Sequence, residues 1–371
     1  MIRTRFHRSL AVVGIAALAL AACGDDTTEP ETQPTDASAD ASSVDRPDAE
    51  ATTAEPPSTD APTTTDAPAS DDATATTSGG SSQPTPTEVA VTTYYGDETT
   101  VPYLPETLVV LDFAALDTLD HLGLGDRVVG VPSGTAMPPH LAAYADSADN
   151  VGTLFEPDFE AINALEPDLI VAGGRSQAVV PELTEIAPTI DLTFEWGTEP
   201  FWDSLVTNTT VVGQIFGVET AVADAIAALE RSAADVAERA PDAGTGLVIL
   251  TSGGEVSAYG PDPAGRFDLV YDLLGVTPAV EQVAIDTHGD AISFEFLAET
   301  DPDMLFVLDR DAAIGAEGDS AQAILDNDLV NSTSAARNDR IAYVDTAKWY
   351  LSFGGLTSIG TMIDEVGSLV G

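Results

Sequence analysis

The sequence predicts an α/β protein of two lobes joined by one long helix. Short apolar runs typical of strands alternate along most of the chain with segments of helical spacing, which favours βα units and mostly parallel sheets. Glu219 to Arg239 is rich in Ala, Glu and Leu and contains no Gly or Pro, so it predicts a helix of roughly 30 Å. A pattern that recurs on both sides of this helix indicates an internal duplication.

The first 22 residues have the three-part pattern of a signal peptide. Three arginines precede an apolar run over residues 10–20, and small residues lead up to Cys23. The apolar run is too short for a membrane-spanning helix. Leu20-Ala21-Ala22-Cys23 resembles a bacterial lipobox, which predicts removal of residues 1–22, a lipidated Cys23 and an extracytoplasmic protein anchored to the cell membrane. The alternative is an ordinary signal peptidase site with an incidental cysteine.

Residues 23–88 are predicted to be a tether. From Gly24 to Thr87 the composition shifts to Thr, Ala, Ser, Asp and Pro, without aromatic residues, Ile or Leu. Such a segment buries too little apolar area to offset the entropy of ordering. We therefore expect an acidic, disordered and extended spacer that holds a folded domain away from the membrane.

An N-terminal lobe is predicted over residues 89–216. It begins with a strand pair, residues 89–95 and 98–103, joined by a Gly-Asp turn. Residues 108–111 are predicted as the next strand, and residues 114–122 as a helix that ends at Gly123. Its further strands are predicted at residues 128–131, 169–172 and 189–192.

The long helix lies in a connecting region predicted over residues 217–241, and a C-terminal lobe follows over residues 242–371. Strands of this second lobe are predicted at residues 246–250, 304–308 and 341–344. One long helix between two lobes is expected to act as a stiff hinge.

A helix, a Pro-Asp turn and an apolar strand occur in each lobe with matched spacing. Glu160 lies seven residues before one Pro-Asp turn and fifteen before Arg175, and Glu295 and Arg310 repeat both distances. Pro-Asp before a strand is ordinary turn chemistry, but this does not explain a glutamate and an arginine kept in register. Because ligands of open α/β sheets bind at the carboxyl ends of strands, we expect Arg175 and Arg310 to face one cleft that binds an anion.

Charge and cysteine content exclude several classes of protein. The chain has 13 Lys and Arg against 62 Asp and Glu, a formal net charge of −49. It therefore has no broad basic face for nucleic acid or anionic lipid. A single cysteine excludes an intramolecular disulfide, a cysteine-based zinc site and an iron–sulfur cluster.

Several separated motifs resemble the iron–siderophore solute-binding lipoproteins of ABC importers. The closest resemblance is to the branch that binds ferric catecholates of the enterobactin, petrobactin and anguibactin type. The motifs are LDFAALD at 111–117, GTLFEPDFE at 152–160, AGGR at 172–175 and KWY at 348–350. The resemblance covers residue 92 to the C-terminus. It implies a class III periplasmic-binding-protein fold, in which two Rossmann-like α/β lobes are joined by a single long α-helix with little domain closure.

The resemblance also implies a function and its partners. It implies a monomeric binding protein with no enzymatic activity and no permanently bound cofactor. The transported ligand is a ferric siderophore, and an ABC permease is the partner. Three arginines are expected to line the cleft, a histidine and a tyrosine to complete the coordination of iron in a tetradentate siderophore, and two glutamates to dock on the permease. The arginines expected in the cleft are Arg175, Arg266 and Arg310. The expected iron ligands are His288 and Tyr350, and the expected docking glutamates are Glu160 and Glu295.

These residue types suit a ferric catecholate, which is a hard, oxygen-rich anion. The guanidinium group stays charged, forks onto pairs of oxygens and stacks on aromatic rings, so three of them could neutralise a trianion. Phenolate suits ferric ion, and imidazole is an acceptable second ligand. Each residue also has an ordinary alternative: a surface ion pair for the arginines, a solvated loop position for His288, packing for Tyr350 and a solvated helix position for the glutamates.

Three other functions are less well supported by the sequence. A zinc or manganese site needs convergent His and carboxylate ligands, and the histidines here are not clustered. Haem or cobalamin binding on the same fold is the closer alternative; haem would favour Met, His or Tyr axial ligands, and Met137, Met304 and Met362 remain after removal of the signal peptide. No Gly-x-Ser-x-Gly, Ser-x-x-Lys or His-Glu-x-x-His motif supports an enzyme.

Overall fold

The computed structural model describes residues 86–93, 98–133, 136–194, 200–262, 265–281 and 289–371. The signal peptide, Cys23, nearly all of the tether and His288 lie outside these residues. Their predicted structures and roles therefore stay predictions.

A two-stranded antiparallel sheet opens the described part of the chain. It consists of β1 (Glu88–Thr92) and β2 (Glu98–Pro102), both shorter than predicted. The inward-facing Val91 and Val101 are each 1% exposed, while the residues beside them are partly or fully exposed. This alternation is typical of a sheet with one face on the core and one in water.

The first of the two main sheets has five parallel strands in the order β5-β4-β3-β6-β7. These strands are β3 (Leu108–Val110), β4 (Val128–Val131), β5 (Asp149–Asn150), β6 (Leu169–Ala172) and β7 (Thr189–Asp191). Every residue of β3 and β6 is buried, as expected for parallel strands covered on both faces. Four of the five strands were predicted; the two-residue β5 was not.

The helices of this lobe follow the strands in a βα pattern. They are α1 (Phe113–His121), α2 (Tyr144–Ser147), α3 (Phe159–Ala164), α4 (Val180–Thr184) and α5 (Phe201–Phe216). Helix α1 begins one residue earlier than predicted because Asp112 caps it, accepting a hydrogen bond from the backbone N–H of Ala115 at 2.9 Å.

Helix α6 (Glu219–Arg239) connects the first main sheet to the second and has the predicted bounds. It packs against α5 and the C-terminal helix through a narrow apolar stripe that includes Val222, Ala233 and Val236. Its other faces are mostly exposed, which explains its high content of Glu, Asp and Arg. Across the described part of the chain, no helix combines the length and apolar character that a bilayer crossing requires.

The second main sheet is mixed, with the order β11-β9-β8-β12-β13. Its strands are β8 (Thr245–Ser252), β9 (Glu255–Tyr259), β10 (Thr277–Pro278), β11 (Asp290–Ile292), β12 (Met304–Asp309) and β13 (Ile341–Tyr343), and β10 pairs with the first residues of β8. The three predicted strands, β8, β12 and β13, run parallel. The sequence did not predict β9 and β11, which are antiparallel; Gly253 and Gly254, both at positive φ, form the tight turn from β8 to β9.

Most helices of the second lobe are short. They are α7 (Phe294–Thr300), α8 (Arg310–Ile314), α9 (Ala321–Leu325), α10 (Asp328–Asn331), α11 (Ser334–Arg337), α12 (Thr346–Tyr350) and α13 (Leu356–Val370). The long helix α13 packs against α6, α12 and also α1 of the first lobe.

The two copies of the repeated pattern adopt matching structures. The residue before each Pro-Asp turn has a positive φ, 46° for Glu166 and 44° for Asp301. The aspartate of each Pro-Asp turn then accepts a hydrogen bond from a backbone N–H at the start of the adjacent strand. Asp168 accepts from Thr107, just before β3, at 3.0 Å, and Asp303 accepts from Thr245, the first residue of β8, at 2.8 Å. The repeat therefore extends to the turn geometry that positions each arginine.

Candidate functional site

A cleft of about 520 Å³ lies where segments of both lobes meet. The residues that follow β3, β6 and β7 form one wall, and the segments around Arg266 and Tyr350 form the other. Its lining residues are Asp112, Ala114, Phe155, Gly174, Arg175, Gln177, Leu192, Thr193, Phe194, Arg266, Tyr350, Leu351 and Phe353. The lining combines cationic and aromatic groups.

Arg175 is positioned by the turn that follows β6. Gly174 has a φ of +51°, and its backbone N–H donates to Thr193 Oγ1 at 2.8 Å. A residue with a β-carbon would be strained in this backbone conformation, so glycine permits the turn that starts the helical segment carrying Arg175. From there Arg175 Nη2 donates to the carbonyl oxygen of Tyr350 at 3.2 Å.

Arg266 and Arg310 approach Tyr350 from the second lobe. Arg266 Nη2 donates to the same Tyr350 carbonyl at 2.9 Å. Arg310, the first residue of α8, donates from Nε to the Tyr350 hydroxyl at 2.9 Å and from Nη1 to Ser252 Oγ at 3.1 Å. The structure thus brings all three predicted arginines together around the predicted tyrosine.

The Tyr350 ring is also a surface on which the guanidinium groups stack. The Cζ atoms of Arg175, Arg266 and Arg310 lie 5.5, 4.6 and 5.7 Å from its centroid. These distances are within the range of cation–π attraction. Tyr350 therefore holds three mutually repelling cations through its carbonyl, its hydroxyl and its ring.

The neighbouring Trp349 anchors Tyr350 to the core. Trp349 is fully buried, packs on Phe306, and donates from Nε1 to Glu365 Oε2 at 2.6 Å. Burial raises the pKa of Glu365, although its hydrogen bonds from the backbone of Asp345 and from Trp349 oppose this shift. Because Trp349 cannot move without breaking these contacts, α12 fixes the position of Tyr350.

The site carries a net positive charge. The pKa of Arg266 is lowered to about 10, mainly by burial and also by the charge of Arg175, while Tyr259 and Tyr350 act in the opposite direction. Arg266 therefore remains protonated at neutral pH, and its Nε is buried with no hydrogen-bond partner among the described residues. Within those residues, no carboxylate lies within 4.0 Å of Arg175 or Arg266, whereas Arg310 is 3.9 Å from Asp311. Such a site favours an anion.

Asp112 is a site residue that the sequence did not predict. It lines the cleft beside Gly174, at the point where β3 ends. Burial raises its pKa, an effect opposed by the hydrogen bond from Ala115 and by the charge of Arg175. Its place directly after a strand, as for the two repeated arginines, was the signal that could have identified it.

The remaining predicted residues fall into two groups. Glu160 and Glu295 are both exposed, each in the first turn of a short helix, α3 or α7. His288 lies outside the described residues, so the structure shows nothing of its distance from Tyr350. Within the described ranges, no three His, Cys, Asp or Glu side chains form a potential metal site.

Comparison with known families matches residues 108–347 to the family described as periplasmic binding protein. The chain belongs to this family. It is 41% identical over 270 residues to the petrobactin-binding protein YclQ of Bacillus subtilis, a match that covers 72% of this chain and 83% of YclQ. It is 29% identical to the ferric-anguibactin-binding protein FatB of Vibrio anguillarum, over 76% of this chain and 88% of FatB.

Solved structures extend the match to the fold. The crystal structure of YclQ superposes with a TM-score of 0.71 and 38% identity, covering 76% of this chain and 98% of YclQ. The catecholate-siderophore binding protein VctP of Vibrio cholerae gives a TM-score of 0.69 and 32% identity, over 76% of this chain and 99% of VctP.

These matches confirm three predictions from the sequence. The fold is the class III periplasmic-binding-protein fold, the resemblance to the iron–siderophore solute-binding proteins is correct, and the relatives are binding proteins of ABC transporters, not enzymes. Of the three methionines considered as axial ligands of haem, Met304 and Met362 are fully buried in the core, and Met137 packs against it.

Proposed function

We propose that this protein captures a ferric catecholate siderophore in its arginine-lined cleft and delivers it to an ABC importer. The observation that carries the proposal is the convergence of Arg175, Arg266 and Arg310 on Tyr350, with Arg175, Arg266 and Tyr350 lining a cleft that also contains Phe155, Phe194 and Phe353. Three cations on an otherwise strongly acidic protein form a receptor for a compact, highly charged anion. Relatives named for petrobactin, anguibactin and catecholate siderophores support this ligand class.

Tyr350 is proposed to take a second role when the siderophore is tetradentate. Such a ligand leaves two positions free on octahedral ferric ion, and a phenolate oxygen is a suitable ligand for this hard cation. The Tyr350 hydroxyl oxygen already accepts a hydrogen bond from Arg310 Nε at 2.9 Å. His288 is proposed as the second protein ligand.

Delivery is proposed to use an anchored protein that meets the permease through both lobes. A lipid on Cys23 and the tether 23–88 would hold the folded part close to the membrane. Glu160 and Glu295 would each offer a carboxylate to a cationic group of the permease.

A titration with ferric complexes of different denticity tests this function. Tryptophan fluorescence should report binding, because Trp349 adjoins Tyr350. We expect tight binding of a ferric bis-catecholate, weakened about tenfold or more in His288→Ala and in Tyr350→Phe, since each removes one metal ligand. A hexadentate ferric tris-catecholate has no open positions, so His288→Ala should not change its affinity, and Tyr350→Phe should lower it only through the lost hydrogen bond to Arg310.

The outcomes separate the parts of the proposal. Tight binding that is indifferent to both substitutions would keep the transport function and move recognition to the arginines alone. If no ferric catecholate binds the wild-type protein, the proposed ligand class is wrong, and haem and cobalamin should be tested next.

A further inference from the structure

Phe155 is the most exposed large apolar side chain of the described residues, with 65% of its surface accessible. It also lines the cleft that contains Arg175, Arg266 and Tyr350. A phenyl ring exposed to water lacks the stabilisation that burial would give it, so an exposed ring that lines a cleft indicates a contact surface for a ligand.

The turn that carries Phe155 is fixed from several sides. Gly152 and Pro157 form a β-bridge across its base, and Thr153 N–H donates to the carbonyl of Glu156 at 3.0 Å. Thr153 Oγ1 also accepts from the backbone N–H groups of Phe155 and Glu156, at 3.3 and 2.9 Å. A backbone held in this way keeps Phe155 at the cleft before a ligand binds, which reduces the entropy lost when a ligand covers the ring.

Gly152 makes this turn possible. Its φ is +94°, and a β-carbon there would lie 2.6 Å from the backbone nitrogen of Asp158 and 2.6 Å from the carbonyl oxygen of Glu156. A side chain at position 152 would push these backbone segments apart, so the turn depends on glycine. The local structure thus serves to hold an apolar ring at the cleft.

We propose that Phe155 determines specificity by covering one face of an aromatic ring of the bound ligand. The arginines provide charge recognition, which any compact ferric anion could satisfy, including an aliphatic carboxylate or hydroxamate complex. Phe155 adds a contact that only an aryl chelator can use fully, through offset or edge-to-face packing of two rings. This inference rests on the proposed function and deepens it, because it names the chemical feature by which catecholates are selected.

Substitutions that separate ring packing from apolar area test the inference. Dissociation constants for a ferric bis-catecholate and for an aliphatic ferric tris-hydroxamate would be measured with the wild-type protein and with Phe155→Ala, Phe155→Leu and Phe155→Tyr. Phe159→Ala is the matched control: Phe159 is on the same lobe, is 36% exposed and does not line the cleft. Circular dichroism of each variant checks that the fold is retained.

We expect Phe155→Ala to weaken binding of the bis-catecholate by roughly tenfold, from the loss of apolar contact and ring packing. Phe155→Tyr should bind like wild type, Phe155→Leu should lie in between, and Phe159→Ala should have no effect. Affinity for the tris-hydroxamate, however weak, should not change in any of the variants.

Three results would overturn the inference while leaving the proposed function intact: an unchanged bis-catecholate affinity in Phe155→Ala, full affinity in Phe155→Leu, or an equal loss for both ferric complexes. Failure of the wild-type protein to bind any ferric catecholate would instead reject the proposed function and this inference with it.

Discussion

Tyr350 organises the site through three different groups. Its carbonyl oxygen accepts from Arg175 and Arg266, its hydroxyl accepts from Arg310, and its ring lies beneath all three guanidinium groups. These contacts offset the repulsion among the cations and hold their remaining N–H donors for a ligand. At the scale of single residues, the proposed affinity therefore depends on planar, forked donors as well as on positive charge.

Arg266→Lys tests this dependence on guanidinium geometry. Lysine keeps the charge but cannot both stack on the Tyr350 ring and fork onto two acceptors. We expect affinity for a ferric catecholate to fall about tenfold or more, consistent with the loss of charge-assisted hydrogen bonds. Isothermal titration calorimetry would measure the change. Arg337→Lys, at an exposed arginine paired with Asp301, is the control and should leave affinity unaltered; wild-type affinity in Arg266→Lys would show that charge alone suffices.

Sequence reasoning located part of the site, for identifiable reasons. Arg175 and Arg310 could be predicted because a duplication places them at equivalent strand ends, whereas Arg266 lies outside the repeat and was found only through the family resemblance. Asp112 was missed because a carboxylate is not expected in a cleft for anions. The exposure of Phe155 is set by the tertiary structure of its turn and leaves no pattern in the sequence.

At the scale of elements, an aspartate of α1 caps the distant helix α13. Asp117 is fully buried and accepts hydrogen bonds from the backbone N–H groups of Thr357 and Ser358 at 2.7 and 3.1 Å, and from His140 Nε2 at 2.8 Å. Gly355, at the start of α13, has no side chain to cap the helix. Asp117 therefore joins the first lobe to the C-terminal helix through a charge that complements the helix dipole.

Asp117→Ala should lower the free energy of unfolding by about 3 kcal/mol, because it leaves several buried donors without acceptors. Urea denaturation would measure the loss. Asp158→Ala is the matched control, since Asp158 caps the mostly exposed helix α3, where its carboxylate accepts a hydrogen bond from the backbone N–H of Ala161 at 3.0 Å; it should cost about 1 kcal/mol. Equal losses in the two variants would contradict a special role for the contact between α1 and α13.

Asp168 makes the stability of the first repeat depend on pH. Hydrogen bonds from the backbone of Glu106 and then Thr107 lower its pKa below the usual 3.8, with partial burial opposing them. A carboxyl group with a lowered pKa stabilises the fold above its unfolded pKa and loses that effect as the pH falls through its folded pKa. Asp168→Asn should therefore lower Tm by roughly 1–3 °C above about pH 5, and the difference should shrink below pH 3.8. A difference in Tm that is constant from pH 7 to pH 3 would exclude this linkage.

The elements differ in how well local sequence predicts them. Helix α6 was predicted with its observed bounds because it lacks Gly and Pro and its packing is confined to a narrow stripe. Strands β9 and β11 were missed, since their pairing depends on a glycine turn and on contacts distant in sequence. Strands β4 and β6 also have their predicted bounds, while the ends of the other predicted elements differ by one to three residues. For α1, the capping side chain of Asp112 explains the shift.

At the scale of the whole molecule, the proposed ligand site and the proposed docking sites have opposite charge. The cleft gathers arginines on a chain of net charge −49, while Glu160 and Glu295 lie exposed at matching positions of the two repeats. Ligand capture and delivery can therefore be altered separately.

The double variant Glu160→Gln/Glu295→Gln should reduce cellular uptake of a radioiron-labelled siderophore at least about tenfold, because rim charges govern association with a partner. Its affinity for the ferric ligand should stay at the wild-type value. Glu238→Gln, on the connecting helix α6, is the control for a change of surface charge alone. Unimpaired uptake in the double variant would exclude a docking role for the two glutamates.

The central claim is that three guanidinium groups around Tyr350 bind a ferric catecholate anion. The most direct measurement is the dissociation constant of a ferric bis-catecholate for the wild-type protein and for Arg175→Met, Arg266→Met and Arg310→Met, singly and combined, with Arg337→Met as the control. We predict tight binding by the wild type and the control, a loss of about tenfold or more in each single variant, and no measurable binding in the triple variant. Tight binding by the triple variant would contradict the claim.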